Sequence, residues 1–175
     1  MKELTITPLI GVGPLVLGKN QDWCRSALKA FGFPVTSSRR FIDRADDGCI
    51  ALEYDESWNL QHIGLAVSEH FIARYEGVDV FDIAAPELFA KIAQKEKTGD
   101  HVYDPSEYVF RGQIISLWEA DEQYDRRRGE TRPIYGSFGV GNQVYLNAID
   151  EIAVPSQKGA EPSGTDNSGA SPLRV

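Results

Sequence analysis

The sequence predicts an α+β fold: an antiparallel curved sheet with two helices packed on one face. Two segments carry apolar residues at helical spacing, whereas several longer runs alternate apolar and polar residues as half-buried strands do. Hydrophobic residues make up 42% of the 175-residue chain, which is enough for a packed core. A chain of this length is expected to form one domain or two small half-domains.

The first elements are predicted from glycine, proline and capping positions. Gly11, Gly13 and Pro14 interrupt the apolar stretch of residues 4–17, which predicts a strand, a turn and a second short extended piece. Asn20 is a suitable N-cap for a helix over residues 21–31, and Gly32 is a suitable helix stop. A helix between short strands is therefore expected near the start of the chain.

A β-hairpin is predicted after this helix. A polar link is predicted through Arg39, Arg40, Asp46 and Asp47. Strong β-formers alternate over residues 49–54 and again over residues 60–67, and the turn-forming segment 55–59 separates the two runs.

The second half of the chain predicts a similar alternation. Residues 71–83 are expected to be extended, and a helix is expected from Pro86 to about residue 97, closed by Gly99. Residues 108–118 and 134–146 are long β-rich runs whose glycines fit bends in a curved sheet.

An internal repeat is predicted because the two halves align at a shift of 66 residues. Gly11 then meets Gly77, and two positions of the predicted helices coincide, Trp23 with Phe89 and Ala27 with Ala93. The repeat predicts two tandem α+β modules, residues 1–70 and 71–154, whose strands form one continuous sheet. The alternative is a chance match between two segments that share apolar periodicity.

The charge of the chain favours a basic protein partner. There are 18 Lys plus Arg against 26 Asp plus Glu, a net charge of −8. Residues 155–175 hold ten Pro, Ser or Gly and a balanced charge, so they predict a disordered tail and leave the acidity to residues 1–154. This charge opposes binding to nucleic acid or to a membrane surface, because both require an excess of basic residues.

The sequence predicts a soluble cytoplasmic protein without a cofactor. No apolar run approaches the roughly 18 residues of a membrane-spanning helix, and the N-terminus lacks the pattern of a signal peptide. Cys24 and Cys49 are too few for a disulfide scaffold and are expected to be free, buried thiols.

Catalytic motifs are absent, and one constellation of residues keeps an enzymatic alternative open. The chain has no Gly-x-Ser-x-Gly elbow, no phosphate-binding loop and no His-Glu-x-x-His motif. His101 lies between Asp100 and Asp104 and could serve a small hydrolase or a metal-dependent enzyme. His62 is out of phase with Ile63 in its predicted strand, so we expect it at an exposed or edge position.

Two acidic, aromatic segments are the best candidates for a binding surface. Interfaces are rich in Trp and Tyr, and carboxylates steer basic partners towards a surface. The alternative is a pair of solvated hairpin tips with their aromatic rings folded onto the core. The candidate residues are Asp55, Glu56 and Trp58 in the first half, and Trp118, Glu119, Asp121, Glu122 and Tyr124 in the second.

Two family resemblances agree with a binding function. Residues 13–18 (Gly-Pro-Leu-Val-Leu-Gly), together with Ala30-Phe31-Gly32-Phe33-Pro34, resemble the repeat modules of proteins similar to the β-lactamase inhibitor protein. That resemblance implies an inhibitor that binds its target with an open sheet face. In size, acidity and expected location, the chain also resembles bacterial immunity proteins that neutralise toxins. A structural subunit of a larger complex is a further alternative, and the oligomeric state stays open.

Overall fold

Three α-helices, a short 3-10 helix (Asp46–Gly48) and two β-sheets form the secondary structure of the described part of the chain, residues 1–124 and 131–153 of the computed structural model. The predicted α+β class is confirmed. In chain order the elements are β1 (Lys2–Thr7), β2 (Gly11–Val12), β3 (Leu15–Val16), α1 (Gln21–Phe31), β4 (Val35–Arg39), β5 (Ile42–Ala45), β6 (Ile50–Tyr54), β7 (Leu60–Ala66), β8 (Phe71–Tyr75), β9 (Val78–Asp79), α2 (Ala85–Ala93), β10 (Glu107–Phe110), β11 (Ile115–Tyr124), β12 (Thr131–Gly141) and α3 (Gln143–Ala153).

The strands are divided between a small and a large sheet. The small sheet has the order β3-β2-β1-β8-β9, and its central pair, β1 and β8, is parallel. The large sheet has the order β10-β11-β12-β7-β6-β5-β4 and is antiparallel throughout. Each sheet combines strands that precede residue 70 with strands that follow it. The internal repeat and the module boundary at residue 70 stay predictions.

The two faces of the large sheet differ in character. Its inner face carries apolar residues that are buried against the small sheet, α1 and α2 in one core cluster; these include Ile50, Leu52, Ile63, Leu65, Ile115, Leu117, Phe138 and Val140. Its outer face carries the alternate residues, which apart from Trp118 are mostly polar or small; these include Ala51, Glu53, His62, Gly64, Glu107, Ser116 and Gly139.

Helix α1 begins and ends where the sequence predicts. The Asn20 side chain accepts a hydrogen bond from the Trp23 backbone N–H at 2.9 Å, and Gly32 ends the helix with a φ of 89°. An ion pair with a buried carboxylate fastens the helix to the large sheet, because the half-exposed Arg25 contacts both carboxylate oxygens of Asp43 at 2.8 Å. Asp43 lies on β5, inside the segment that the sequence predicted as a link; that prediction was wrong, because residues 35–45 form the hairpin of β4 and β5.

Helix α3 was not predicted, and it changes the outer face. The prediction of a β-run over 134–146 was wrong beyond Gly141, because the Asn142 side chain caps a helix by accepting from the backbone N–H groups of Val144 and Tyr145. Helices α1 and α2 contribute to the core on the inner face, whereas α3 packs on the outer face through a separate apolar cluster.

Helix α2 is shorter than predicted. It ends at Ala93 instead of residue 97, because the Glu96 carboxylate accepts hydrogen bonds from the backbone N–H groups of Lys97, Thr98 and Gln113 and stabilises a loop. Within the described ranges, no helix has the length and apolarity that crossing a bilayer requires. The predicted tail, residues 155–175, lies outside the described residues.

Candidate partner-binding surface

The first acidic, aromatic segment forms the turn between β6 and β7. Asp55 uses its carboxylate within this turn, because Oδ1 accepts hydrogen bonds from the backbone N–H groups of Ser57 at 2.9 Å and Asn59 at 2.8 Å. Glu56 is exposed. Of the two acidic residues in this turn, only Glu56 therefore presents a carboxylate that is not already holding the turn together.

Trp58 forms an exposed aromatic pair at this end of the sheet. Its ring is 4.8 Å from the ring of Phe41, and the two residues are 41% and 40% exposed. Phe41 follows Arg39 and Arg40 in the β4–β5 turn. The surroundings of Trp58 are therefore of mixed charge and less acidic than the sequence predicted.

The second segment places Trp118 on the outer face of β11. In the β-ladder Trp118 lies opposite Glu107 of β10 on one side and Ser137 of β12 on the other. Directly opposed residues point to the same face, so the Glu107 carboxylate stands beside the indole ring. The sequence did not indicate Glu107, because this pairing depends on the register across the loop between β10 and β11.

Glu119 occupies a kink in β11. Its φ is 55°, and its backbone N–H donates to the Ser106 carbonyl at 2.8 Å, while the next N–H, of Ala120, donates to the Pro105 carbonyl. These two hydrogen bonds fix the segment before β10 against the kink. The Glu119 side chain is exposed beside Trp118.

Trp118, Glu107 and Glu119 surround a concave site of about 640 Å³, which we call the Trp118 pocket. The small residues Ser106, Ala120 and Gly136 line the site, so they leave the half-buried indole open to solvent. Neither carboxylate of the pocket takes part in an ion pair within the part of the chain that the structure describes. The remaining lining residues are Pro105, Ser106, Ala120 and Gly136.

A buried polar network supports Trp118 from its side. His62 is 2% exposed, and its Nδ1 lies 3.1 Å from Glu53 Oε1, while its Nε2 lies 3.3 Å from Ser116 Oγ. The Tyr145 ring of α3 stacks on the imidazole at a centroid distance of 4.1 Å, and the Trp118 ring meets its edge at 5.9 Å. The prediction of an exposed His62 was therefore wrong, because α3 covers it.

The pKa values in this network follow from its burial. Burial alone would raise the pKa of Glu53, but the hydrogen bond and the charge interaction with His62 outweigh it and lower that pKa. Burial, with the nearby Glu53 charge, raises the pKa of Tyr145 to about 12, so its hydroxyl stays protonated at neutral pH.

The order of Ser116, His62 and Glu53 is the order of hydroxyl, imidazole and carboxylate in a nucleophilic triad. Ser116 is only 1% exposed and lies in the middle of a strand, so its hydroxyl is closed to a substrate carbonyl. The network therefore holds α3 against the outer face of the large sheet. It also fixes the position of the His62 ring, against which the Trp118 ring packs.

The two predicted segments do not form one surface. Trp118 is level with Ser137 and hence with Ala66, whereas the Trp58 turn lies beyond Leu60, at the other end of β7. Six residues of strand at about 3.3 Å each separate the two levels by about 20 Å. Asp121, Glu122 and Tyr124 continue β11 opposite Ile134, Pro133 and Thr131, and their side chains lie outside the description.

His101 occupies an aromatic environment. Its Nδ1 is 2.8 Å from the Tyr108 hydroxyl, and its ring is 5.2 Å from that of Phe110. Asp104 instead accepts a hydrogen bond from the Ser106 backbone N–H, and Asp100 is exposed. Over residues 1–124 and 131–153, no group of three or more His, Cys, Asp or Glu side chains is arranged to hold a metal ion.

No protein-family model, no curated protein and no solved structure matches this chain. The geometry of its surfaces is therefore the basis for assigning a function.

Proposed function

We propose that this protein is an inhibitor or immunity protein that binds a basic protein, in the sharpest form a toxin, and neutralises it by occluding its cationic site. The observation that carries this proposal is the Trp118 pocket. A half-buried indole stands there between the carboxylates of Glu107 and Glu119, and neither carboxylate is neutralised by an ion pair within the described residues.

The chemistry of the Trp118 pocket suits an arginine or lysine side chain. A cation over an indole face gains about 0.5–1 kcal/mol at an exposed site and more where water is displaced. Glu107 and Glu119 add two acceptors for charge-assisted hydrogen bonds to the same cation. The indole ring would therefore contact the aliphatic part of a partner's basic side chain, and the two carboxylates would bind its charged end.

The rigidity of the surroundings favours binding as well. Trp118 is held on a strand of the large sheet, against a His62 ring that is itself fixed by Tyr145. A side chain that is already ordered loses little conformational entropy when a partner binds. Aromatic residues on such supports are typical anchors of protein interfaces.

The net charge of −8 supports the same type of partner. Long-range attraction between an acidic protein and a basic one raises the association rate, and salt reduces that rate. The cytoplasm is the compartment that we propose, because Cys24 and Cys49 are free thiols and disulfides are rare there.

The test uses a variant in which Trp118 is the sole tryptophan. The chain contains three tryptophans, and Trp23→Phe with Trp58→Phe leaves one. We expect the peptide acetyl-Gly-Arg-Gly-amide to change the fluorescence of Trp118 in a saturable manner, and the neutral peptide acetyl-Gly-Gln-Gly-amide to change it much less.

Charge variants identify the site. Replacing both pocket carboxylates, Glu107→Gln with Glu119→Gln, should abolish the difference between the two peptides. Glu56→Gln is the matched control, since it removes an exposed carboxylate from the other end of the sheet, and it should leave the difference intact. Equal responses to both peptides, or a loss in the Glu56 variant as large as in the pocket variant, would contradict the proposal.

A further inference from the structure

A second concave site lies at the opposite edge of the large sheet, beside the hairpin of β4 and β5. Its volume is about 400 Å³. We call it the arginine pocket, because three of its five lining residues are Arg39, Arg40 and Arg44; Ser37 and Ile42 complete it. Strand order places β10 and β11, which form the Trp118 pocket, at the other edge of the same sheet.

The register of the hairpin gathers these side chains. Ser37 lies opposite Arg44, and Arg39 lies opposite Ile42, so these four residues point to one side of the hairpin. Arg44 is also opposite Ala51, which places this side on the outer face of the sheet. Arg40 joins them from the turn, where its φ is 53°.

The three pocket arginines differ from every other arginine in the described residues. Elsewhere, the guanidinium groups of Arg25, Arg74, Arg111 and Arg132 each form an ion pair with a carboxylate. Within the same part of the chain, no ion pair or hydrogen bond engages the side chains of Arg39, Arg40 or Arg44.

An unneutralised group of three positive charges is unfavourable in itself. Arg39 and Arg44 lie diagonally across the two strands, within reach of each other for long side chains, so their like charges repel. The carboxylate nearest to Arg44 in the ladder is Glu53, which lies opposite Ile42 and is hydrogen-bonded to His62 on its other side. Arg44 lowers the pKa of Glu53 through its charge, but it does not form an ion pair with it.

We propose that the arginine pocket binds the phosphoryl group of a small molecule, either free phosphate or a phosphate monoester. A tetrahedral dianion offers several oxygens to guanidinium groups that approach from different directions, and arginine forks match them with paired hydrogen bonds. The volume suits a small molecule. The net charge of −8 opposes a polyanion such as nucleic acid.

The experiment titrates the full-length protein with inorganic phosphate and with ribose 5-phosphate at constant ionic strength in chloride, followed by amide NMR shifts. We expect saturable binding, with shifts concentrated in β4 and β5. Tighter binding of ribose 5-phosphate would identify a phosphate monoester as the ligand, and equal or tighter binding of inorganic phosphate would identify the free ion; both results support the proposal.

Matched variants distinguish binding at the arginine pocket from a general effect of the protein's positive charges. Arg44→Gln should weaken phosphate binding about tenfold or more, because it removes a charge-assisted hydrogen bond to the phosphoryl oxygens. Arg74→Gln removes the same charge from an arginine that is paired with Glu3, and it should leave phosphate binding unchanged.

Three results would overturn the proposal. The first is the absence of saturation, and the second is an equal weakening by Arg74→Gln, which would indicate a diffuse counterion effect. The third is tighter binding of an acidic peptide, such as hexaglutamate, than of either phosphate. Circular dichroism of each variant shows that a loss of binding is not a loss of folding.

Discussion

Replacing Gly139 by alanine should destabilise this protein, because the site where its side chain would lie is already occupied. Gly139 of β12 lies directly opposite Gly64 of β7. A Cβ atom on Gly139 would stand 2.3 Å from His62 Nε2 and 2.3 Å from Ser116 Oγ, far inside van der Waals contact. His62 cannot retreat easily, since its ring is stacked under Tyr145.

The expected magnitude combines three contributions. Overpacking of a well-packed region costs about 1–3 kcal/mol. Separating His62 from Ser116 loses a hydrogen bond of about 1 kcal/mol. The replacement of glycine by alanine restricts the unfolded chain and returns about 0.4–1 kcal/mol. We therefore expect the free energy of unfolding to fall by about 2–3 kcal/mol.

Gly64→Ala is the matched control, because the two glycines share a face and a ladder position. A Cβ atom on Gly64 would meet its nearest neighbours, on Ala51 and His62, at 3.7 Å, an ordinary contact. We expect this variant to be as stable as the parent or up to about 1 kcal/mol more stable.

Urea unfolding, followed by circular dichroism, measures both variants. Ser116→Ala in the Gly139→Ala background should recover part of the loss, because it removes one of the two contacting atoms, and the two effects should be strongly non-additive. Equal stabilities of the Gly139 and Gly64 variants would refute the reasoning, since His62 would then not be seated against β12 under α3.

The remaining predictions concern the core. Asp43→Ala should lower the free energy of unfolding by about 2–3 kcal/mol in urea, because it leaves the buried Tyr54 hydroxyl without an acceptor and Arg25 without its carboxylate; an unchanged stability would contradict this role of Asp43. The pKa values of Asp43 and Glu53 are both lower in the folded protein than in the unfolded chain. The two carboxylates therefore stabilise the fold at a pH above their unfolded pKa values, and this stabilisation is lost progressively as the pH falls below about 5. Asp43→Asn should flatten that decline in pH-dependent unfolding, and an identical pH profile would count against the pairing. Burial raises the pKa of the Cys24 thiol to about 11, so a disulfide reagent at pH 7.5 should modify it only at the rate of unfolding; modification of the native protein within seconds would show that the thiol is open.

The elements that the sequence predicts well are those whose signals are local. Helix α1 carries its N-cap, Asn20, and its stop, Gly32, within a dozen residues, and both act as predicted. The hairpin of β6 and β7 is similarly marked by alternating β-formers around a turn. Such features are decided by the backbone preferences of the residues concerned, so they are readable before any tertiary contact is known.

Helix α3 shows why other elements escape prediction. Its N-cap is Asn142, and Tyr145, Leu146 and Ile149 have helical spacing, but the preceding strand is also apolar and only two polar residues, Asn142 and Gln143, separate it from the apolar residues of the helix. The apolar patterns of the two elements overlap, so the sequence predicts a β-run that continues past Gly141. Because this helix was not predicted, the burial of His62 was not predicted either. The alternation of residues along a strand indicates on which face of the sheet a side chain lies, but it does not indicate whether another element covers that face.

The candidate site was predicted in part. Trp118 and Glu119 were identified from composition, and the structure brings them together in the Trp118 pocket. Glu107 and the distance between the Trp118 and Trp58 segments depend on strand register over long separations in sequence. The arginine pocket likewise arises from the pairing of β4 with β5, which the sequence pattern did not indicate.

The most direct test of the proposed function is a quantitative pull-down from a native lysate of the source cells. Beads carry the parent protein, a Trp118→Ala variant with Glu107→Gln and Glu119→Gln, or a Trp58→Ala control, and mass spectrometry compares the captured proteins. We expect a basic protein that the parent and the Trp58 variant retain, that the Trp118 pocket variant loses, and whose association with the parent slows as salt rises. A captured set that is the same for all three, or that is lost only with Trp58→Ala, would contradict binding of a basic partner at the Trp118 pocket.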